Sequence, residues 1–577
     1  MAEHAREVDV LIVGAGPVGL VTAFQLAKFG GVSVAIIDKN EKATSQQAYG
    51  RAITLFPRTS ELLDQLGLAE KLAQQCFACR ETVTYNSKGE EVEGRGWSFM
   101  ETSMNDTAWD FALVLRQKYQ EDVFRGALNE YGVEVEAPFS LLDVVVDETA
   151  PALSHKVTAA IKNEKTGQQT LFKSKFLIGC DGGHSSVRRM LNIPFHGTTS
   201  ADKWVRIDGL VKTNVPKPRT YCSIESPTHG NVLWVGLDRG RTRIGYAFTE
   251  KHANSYEVFD EAAAIKEAKA AVKPFDLEFE CVDWWTIYSV GQRIAESFFV
   301  KDCVFLAGDA CHTHSSGAAQ GMNTGIHDSV NLAWKLSLVL RGAAHFDLLR
   351  TYQAERLPNV QRLIQYDKDI SRLMTNRLPE NWTGDPDTDV NAILGDIMGQ
   401  AASFSSGLGI FYDLEESNPL NRAGSQKVVL SPGQRGPDVD LVTPGTYETT
   451  RLIQQTRNSA MFHVVVFAGG PALSKEAEFY AAMLESTTLT ALRAKNLMEF
   501  LTILKSVTPS TWEVLGHDPL GRAYFDDSKQ NAYQRYGIDT GSGGVAVLRP
   551  DGWIGTVTTL SEDAVVELES YFQGIFQ

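Results

Sequence analysis

The chain has 577 residues, and its 55 lysines and arginines against 71 aspartates and glutamates give a formal net charge of −16. Nucleic acids and anionic membrane surfaces are bound through clustered basic residues, so this acidic balance argues against both as main partners. The hydrophobic share of 43% supports a sizeable core and excludes an intrinsically disordered chain.

The first predicted elements are a strand, a helix and a strand, at residues 8–13, 17–29 and 32–37. Gly14-x-Gly16-x-x-Gly19 lies between the first strand and the helix, and Asp38 follows the second strand. Such glycines permit a tight turn, close approach to a pyrophosphate and close packing of helix on strand. The helix N-terminus attracts phosphate, and a carboxylate at Asp38 accepts from ribose hydroxyls. The unit predicts dinucleotide binding without separating FAD from NAD.

Periodicity and turn residues predict the elements that follow. Helices are predicted at residues 59–75, 121–131, 261–272 and 326–340, strand-rich regions at 140–180 and 200–290, and a buried strand at 303–307. A partly helical connector is predicted at 375–430. From residue 432 the prediction is a strand at 461–467, helices at 475–484 and 492–505, a strand at 512–515, a hairpin at 546–553 and a helix at 562–572. That order is typical of a thioredoxin-like domain.

Two further motifs follow buried strands. Gly308 and Asp309 follow residues 303–307, and the run 320–325 opens the long helix. A carboxylate there can accept from a ribityl chain, and the helix N-terminus favours an anionic reduced flavin. Two dinucleotide signals in one chain indicate a single extended cofactor held at both ends, which favours FAD. Asp181 lies in the third motif, residues 180–188, which by itself is also explained as a turn and a helix cap.

The three motifs, in this order, resemble those of the FAD-dependent aromatic hydroxylases, the single-component flavoprotein monooxygenases. The runs 115–117, 283–293, 308–315 and 352–358 are similar to the phenol 2-monooxygenase branch of that family. The resemblance implies a mixed α/β fold, with a Rossmann-like FAD-binding domain interleaved with a β-sheet substrate domain and followed by a C-terminal thioredoxin-like domain. It also implies a homodimer.

The resemblance further implies the reaction, in which a phenolic or aromatic small molecule is hydroxylated with NAD(P)H and O2 through a flavin C4a-hydroperoxide. The FAD-binding domain is expected at residues 1–90, 113–195 and 291–375, the substrate domain at 91–112 and 196–290, a helical connector at 376–430 and the thioredoxin-like domain at 431–577. The residues implied to bind FAD are Gly14, Gly16, Gly19, Asp38, Lys39, Arg51, Gln117, Asp181, Asp309, Gly321, Met322 and Asn323. NAD(P)H is expected to bind transiently.

Four residues are candidates for the substrate site. Tyr288 and Arg243 match the family's active-site Tyr and Arg, with Tyr246 as a looser second Tyr, although a buried structural Tyr and a strand salt bridge also explain the first two. Tyr49 stands where the branch has an active-site Asp, and Ser316 stands where it has a Pro. Because both departures lie at the expected substrate end, the predicted substrate is a phenolic compound larger or differently activated than phenol.

Two other functions stay open at this point. One is a flavin reductase, dehydrogenase or Baeyer–Villiger-type oxygenase on the same fold, and the other is a non-enzymatic, redox-sensing FAD scaffold. Seven cysteines without a pairing pattern, and a mixed-charge start, predict a cytoplasmic protein outside the membrane. Cys311 is the last cysteine, which excludes thiol–disulfide chemistry in the terminal domain. His312 and His314 lack evident further ligands, so no metal is predicted.

Overall fold

The computed structural model describes residues 5–41, 49–104, 106–249, 252, 254–315, 317–424, 430–469, 474–527 and 531–577. The strands are Arg6–Val13, Val34–Ile37, Thr54–Leu55, Phe77–Cys79, Thr82–Tyr85, Ala112–Val114, Val135–Glu136, Phe139–Val146, Val157–Asn163, Gln169–Gly179, Phe195–Thr213, Tyr221–Ser226, Gly230–Gly236, Thr242–Phe248, Leu277–Ala295, Phe299–Val300, Val304–Leu306, His312–Thr313, Asp440–Val442, Thr449–Arg451, Phe462–Phe467, Met498–Leu504, Arg522–Asp526, Gly544–Leu548 and Ile554–Thr559. The α-helices are Pro17–Phe29, Pro57–Gln65, Ala69–Ala73, Phe99–Ser103, Gln117–Asn129, Ser186–Met190, Glu261–Ala271, Gly321–Leu340, Arg350–Leu373, Val390–Gln400, Ala402–Ser405, Leu452–Gln455, Ser474–Glu485, Thr487–Ala494, Thr511–Leu515, Asn531–Tyr536 and Asp563–Gln573.

The first sheet has a parallel centre. Arg6–Val13 pairs in parallel with Val34–Ile37 on one side and with Gln169–Gly179 on the other, and Val304–Leu306 extends the parallel part. The apolar run of the central strand is almost completely buried, as expected of a strand covered on both faces. The register brings the ends of these four strands to one edge, where ligands bind in open α/β sheets.

The second sheet is antiparallel apart from one edge strand, Thr82–Tyr85, and has two different faces. Its long strands Phe195–Thr213 and Leu277–Ala295 pair along nearly their whole length, and Thr242–Phe248 pairs with the first of them. Alternate residues of these strands pack beneath the helix Glu261–Ala271. The residues between them face the opposite way, toward the first sheet, because successive side chains of a strand point to opposite faces.

The third sheet belongs to the terminal part of the chain, residues 440–559, here called the terminal unit together with its helices. Phe462–Phe467 lies at the centre, parallel to Met498–Leu504 and antiparallel to Gly544–Leu548. Ile554–Thr559 closes that side, and the helix Asp563–Gln573 follows it. The predicted first strand, the helix after it, the hairpin and the closing helix are present. The thioredoxin-like name and the domain boundaries stay predictions.

Two element predictions in the terminal unit are wrong. Residues 512–515 were expected to form a strand but belong to the helix Thr511–Leu515, because the Ser510 side chain accepts from the backbone N–H of Glu513 and caps a helix. Residues 492–505 were expected to be one helix. Asn496 has φ of 54°, which ends the helix Thr487–Ala494 and turns the chain into the strand Met498–Leu504.

Within the described part of the chain, no helix combines the length and the apolarity needed to cross a membrane. All seven cysteines are free thiols, which agrees with the absence of a pairing pattern in their spacing.

The terminal unit packs directly on the helix Gly321–Leu340. Phe462 is completely buried, and its ring meets Trp334 of that helix edge-on at 5.7 Å between centroids. Phe572 and Phe576 both pack on the Phe462 ring, with 5.6 Å between ring centroids. Large apolar side chains therefore join the two parts of the chain.

We expect Phe462→Ala to destabilise the protein by about 3–5 kcal/mol, because it removes a buried aromatic ring and leaves a cavity at this junction. Denaturant unfolding followed by tryptophan fluorescence measures the change. Phe462→Leu, which keeps much of the apolar volume, should cost less. An alanine variant that unfolds at the wild-type denaturant concentration would contradict this packing.

Candidate active site

A cavity of about 1170 Å³ lies between the first and second sheets, and is called the central cavity below. Of the residues predicted to bind FAD, those lining it are Gly14, Gly16, Asp38, Lys39, Arg51, Gln117, Asp181, Asp309, Gly321 and Met322. Of the predicted catalytic residues, Arg243 and Tyr288 line it. The structure thus brings all three motifs and part of the predicted substrate site to one cavity.

The glycine motif forms the turn at the end of the central strand. Gly14 has φ of 104°, and a Cβ at this position would overlap the carbonyl oxygen of Cys180 in the adjoining strand. Gly19 does not line the cavity, but a Cβ there would overlap the carbonyl oxygen of Gly14. The helix Pro17–Phe29 begins without a side-chain cap at Gly16, so N–H groups of its first turn can donate hydrogen bonds to an anion.

Asp38 holds this turn from the neighbouring strand. Its Oδ2 accepts from the backbone N–H of Ala15 at 2.8 Å, and its Oδ1 accepts from that of Asn40 at 2.8 Å. The carboxylate lies at the cavity wall beside Lys39. This is the position from which an acidic side chain reaches a ribose in dinucleotide-binding units.

The two carboxylate oxygens of Asp181 have different surroundings. Oδ2 accepts from the backbone N–H groups of Ser186 and Val187 at 2.6 and 3.2 Å. Oδ1 is buried and has no hydrogen-bond partner among the described residues. Burial raises the pKa of Asp181. A buried acceptor at a cavity wall fits a hydroxyl donor from a bound molecule, because an unmade hydrogen bond is costly.

Asp309 and the helix Gly321–Leu340 form the opposite wall. Asp328, inside that helix, accepts from the backbone N–H of Gly308 at 3.0 Å and from His312 Nε2 at 2.7 Å, and so holds the loop of Asp309 in place. Its other oxygen accepts from Arg356 Nε at 2.7 Å. Gly321 and Met322, in the first turn of the helix, line the cavity.

Asn323 lies directly behind the residues that line the cavity. Its Oδ1 accepts from the backbone N–H of Phe56 at 2.8 Å, and its Nδ2 donates to the carbonyl of Thr54 at 3.0 Å. This side chain therefore ties the start of the helix to the strand Thr54–Leu55, and a cofactor contact by Asn323 stays a prediction.

One face of the second sheet forms the predicted substrate end of the cavity. Arg243 pairs with Asp208 through two hydrogen bonds of 2.6 and 2.8 Å, and its remaining nitrogen donates to the carbonyl of Arg51. The Arg51 guanidinium lies 5.3 Å from the centre of the Tyr288 ring. Of the two explanations left open for Arg243, the structure shows a salt bridge, but a buried one at the cavity wall.

Tyr246 does not face the cavity. It is completely buried on the other face of the sheet, where its hydroxyl donates to the carbonyl of Ala264 at 2.8 Å. Arg243 and Tyr246 are separated by three positions on one strand, so their side chains point to opposite faces. The prediction that both face the substrate is wrong for this geometric reason.

Tyr49 also lies outside the cavity lining. Its ring meets Tyr119 edge-on at 6.3 Å, and the Arg116 guanidinium lies 5.0 Å from the ring centre. Burial and the neighbouring Tyr119 raise the pKa of Tyr49. The other departure from the family pattern, Ser316, lies outside the described residues.

Two residues of the substrate end were missed at the sequence level. Tyr221 and Arg206 line the cavity and are buried. The Tyr221 hydroxyl shares a hydrogen bond of 3.2 Å with Thr54 Oγ1, and burial raises its pKa to about 12, so it stays a hydroxyl. Arg206 lies two positions before Asp208 on the same strand, so its side chain points to the same face as that of Asp208, the partner of Arg243. This alternation is visible in the sequence, but the pairing of the two strands is not.

Among the residues that the structure describes, two clusters have possible metal-ligand atoms within 4.8 Å of one another: His229, His252 and Glu267, and Cys311, His312 and Asp328. In the second cluster Asp328 already accepts from three donors, and burial raises the pKa of Cys311 well above its usual range. A protonated thiol is a poor ligand. In the first cluster His229 and Glu267 share a hydrogen bond of 2.7 Å. The predicted absence of a metal stays a prediction.

Two family descriptions match the chain. The description "FAD binding domain" matches residues 7–367, and "Phenol hydroxylase, C-terminal dimerisation domain" matches residues 416–577. A phenol 2-monooxygenase from Aspergillus fumigatus is 28% identical over 100% of this chain and 97% of its own. A 3-hydroxybenzoate 4-monooxygenase from Comamonas testosteroni is 27% identical over 99% of this chain and 95% of its own.

Solved structures share the whole fold. The flavin-dependent monooxygenase PieE, in complex with FAD and substrate, superposes with a TM-score of 0.73 at 20% identity over 98% of both chains. Aklavinone-11 hydroxylase, in a ternary complex with FAD and aklavinone, gives 0.72 at 22% identity over 99% of both chains.

The chain belongs to the FAD-binding family of flavoprotein monooxygenases, and its cofactor is FAD. The observed cavity fits that cofactor at the glycine turn, at the uncapped helix start and at the unpartnered oxygen of Asp181. The helix Pro17–Phe29 would hold the pyrophosphate, Asp38 the ribose and Asp309 the ribityl side. When bound, FAD supplies the electron transfer and the activation of oxygen.

We expect Gly14→Ala to abolish FAD binding, because the added methyl group overlaps the Cys180 carbonyl oxygen and the backbone is in the left-handed region. Gly30→Ala is the matched control, since Gly30 has φ of 72° but no atom within 4 Å of its Cβ position. The control carries the backbone strain alone and should retain FAD. Flavin absorbance of the purified variants measures both, and equal FAD content would contradict the assignment of the turn.

Proposed function

We propose that this enzyme hydroxylates a phenolic aromatic compound with NAD(P)H and O2. The observation that carries the proposal is one cavity whose walls hold the FAD motifs on one side and the Arg243, Tyr221 and Tyr288 face on the other. An aromatic ring bound on that face would share the cavity with the flavin. The names of the two curated relatives, which act on phenol and on 3-hydroxybenzoate, support a phenolic substrate.

Positive charge at the substrate end supports binding of a phenolate. Arg51, Arg206 and Arg243 line this end, although Asp208 balances the charge of Arg243 from behind the cavity wall. The described carboxylates that line the cavity are Asp38, Asp181 and Asp309, at the motif positions. A nearby cation lowers the pKa of a phenol, because it stabilises the charged form. Arginines thus supply the activation that the Asp of the phenol 2-monooxygenase branch is expected to give, since Tyr49 stands in its place.

Tyr288 and Tyr221 supply the directional contacts. Both rings line the cavity, and their hydroxyls are groups that can hydrogen-bond an oxygen of the substrate. The apolar side chains of Leu233 and Trp284 line the same end and exclude water from the ring. We also propose a substrate bulkier than phenol. The basis for its size is the replacement of the branch's Asp by Tyr49, whose side chain lies outside the cavity lining.

A reductase or Baeyer–Villiger-type reaction is the second candidate. The observation that favours it is that the described residues lining the substrate end include no carboxylate that could act as a base. Assembly as a homodimer is proposed from the dimerisation description of residues 416–577. A cytoplasmic location is proposed from the seven free cysteines, which suit a reducing compartment.

A substrate screen tests the reaction. The purified yellow holoenzyme should consume NADH or NADPH faster in the presence of one class of phenolic compound, and the product should carry one atom from labelled O2. Consumption without label in the product would indicate the reductase. Faster turnover of phenol itself than of bulky polyhydroxylated aromatics would contradict the size inference.

Tyr288→Phe should lower kcat/KM by about 10²-fold, the effect typical of losing a positioned proton-handling group. Tyr246→Phe is the matched control on the opposite face of the sheet. It should cost about 1 kcal/mol of stability, because the hydrogen bond to Ala264 is lost, and leave kcat/KM unchanged. Steady-state kinetics on the same preparations measure kcat/KM of both variants. Equal losses of activity in both variants would contradict the assignment of faces.

A further inference from the structure

A hairpin tip of the terminal unit is buried against the FAD-binding part of the chain. Residues 549–553, called the docking turn, join the strands Gly544–Leu548 and Ile554–Thr559. Arg549 and Asp551 are completely buried, and Trp553 is nearly so. Turns normally lie at the surface, where water satisfies their polar groups. Burial of two charged side chains and a Trp in this turn therefore indicates a specific contact with the FAD-binding part of the chain.

The charged side of the docking turn closes a network without a net charge. Asp551 Oδ2 accepts from Trp334 Nε1 at 3.1 Å and from Arg549 Nη2 at 2.7 Å. Arg549 Nη1 donates to Glu355 Oε1 at 2.6 Å, and Lys335 Nζ donates to Glu355 Oε2 at 2.7 Å. Burial raises the pKa of Glu355, but Arg549 and Lys335 lower it to about 2. Removing one member leaves a buried charge unpaired, which is strongly destabilising locally.

The aromatic side of the docking turn reaches a second pair of residues. The Arg58 guanidinium lies 4.2 Å from the centre of the Trp553 ring, and its Nη2 donates to the carbonyl of Asp551 at 2.8 Å. His327 meets the same ring edge-on at 6.4 Å and shares a hydrogen bond of 3.1 Å with Thr59 Oγ1. Trp553 thus packs against both Arg58 and His327.

Both contacted helices lead to the central cavity. His327, Trp334 and Lys335 belong to Gly321–Leu340, whose first turn lines the cavity. Arg58 and Thr59 belong to Pro57–Gln65, which follows cavity-lining residues 53 and 54. A helix transmits a displacement along its length because each residue is hydrogen-bonded to the next turn. The turn therefore contacts the two elements that set this wall of the flavin site.

We propose that the docking turn positions the cavity-facing end of the helix Gly321–Leu340 against FAD, so that the terminal unit supports the flavin site from behind its wall in addition to any role in dimerisation. Asp551 and Trp553 are positioning residues, since neither lines the cavity. The inference rests on FAD binding in this cavity and does not depend on which aromatic compound is the substrate.

Asp551→Asn in the full-length protein tests the inference, with Asp526→Asn as the matched control. Asp526 is also completely buried in the terminal unit, but it accepts from the backbone N–H groups of Ala532 and Tyr533 in its own unit. The measurements are FAD affinity of the apoprotein, the visible flavin spectrum, the flavin midpoint potential and the sedimentation coefficient. Asp551→Asn should weaken FAD binding by about tenfold, the worth of one charge-assisted buried contact, and shift the spectrum and the potential.

The control should lower the melting temperature while leaving FAD affinity, spectrum and potential at wild-type values. Trp334→Phe removes the donor to Asp551 together with part of the indole ring, and it should change the flavin readouts in the same direction. This variant provides the test if Asp551→Asn fails to fold. Wild-type affinity, spectrum and potential in Asp551→Asn would overturn the inference, as would a change confined to dimer formation. Wild-type protein that binds FAD but oxygenates no aromatic would refute the proposed reaction and leave this inference standing.

Discussion

The carboxylate of Asp328 is the point on which the flavin side of the cavity depends. It is completely buried, and burial by itself would raise its pKa, but His312 and Arg356 outweigh that effect and lower the pKa to about 2. The group therefore stays ionised and keeps its donors oriented. One of those donors is the backbone N–H of Gly308, so movement of the loop that carries Asp309 would remove a hydrogen bond from a buried charge.

The constraint extends outward from Asp328 to the rest of the chain. Arg356 also donates to the Tyr412 hydroxyl in the connector, and Tyr412 packs at 5.0 Å on the Trp553 ring of the terminal unit. One residue before Arg356, Glu355 accepts from Arg549. Adjacent residues of one helix thus hold the flavin loop from one side and the terminal unit from the other. Buried ion pairs of this kind add little net stability, because desolvation of the charges is costly. They do fix the relative positions of the groups that they join, as the flavin loop and the terminal unit require.

Local patterns predicted most of the elements, and the failures have two sources: local signals that were overlooked and tertiary pairing that no local pattern reports. The glycine turn, the strand before it and the helix after it were all predicted, because each depends on a few adjacent residues. The helix Thr511–Leu515 was missed although its Ser510 cap is local. Tyr246 was assigned to the wrong face although strand alternation opposes it. By contrast, the pairing of Arg243 with Asp208 depends on the register of two strands, 35 positions apart in the chain, and no local pattern reports it.

The sequence by itself determined the cofactor class of this acidic, cysteine-poor chain of 577 residues. It could do so because a pyrophosphate is held by main-chain groups, and the glycines that permit their approach are adjacent in the chain. Only the tertiary structure decided which side chains form the substrate end, where Arg206 and Tyr221 replace the expected Tyr246. It also decided that Asp551 accepts a hydrogen bond from Trp334. Such a contact depends on how two distant segments pack together, and neither segment shows it in its own sequence periodicity.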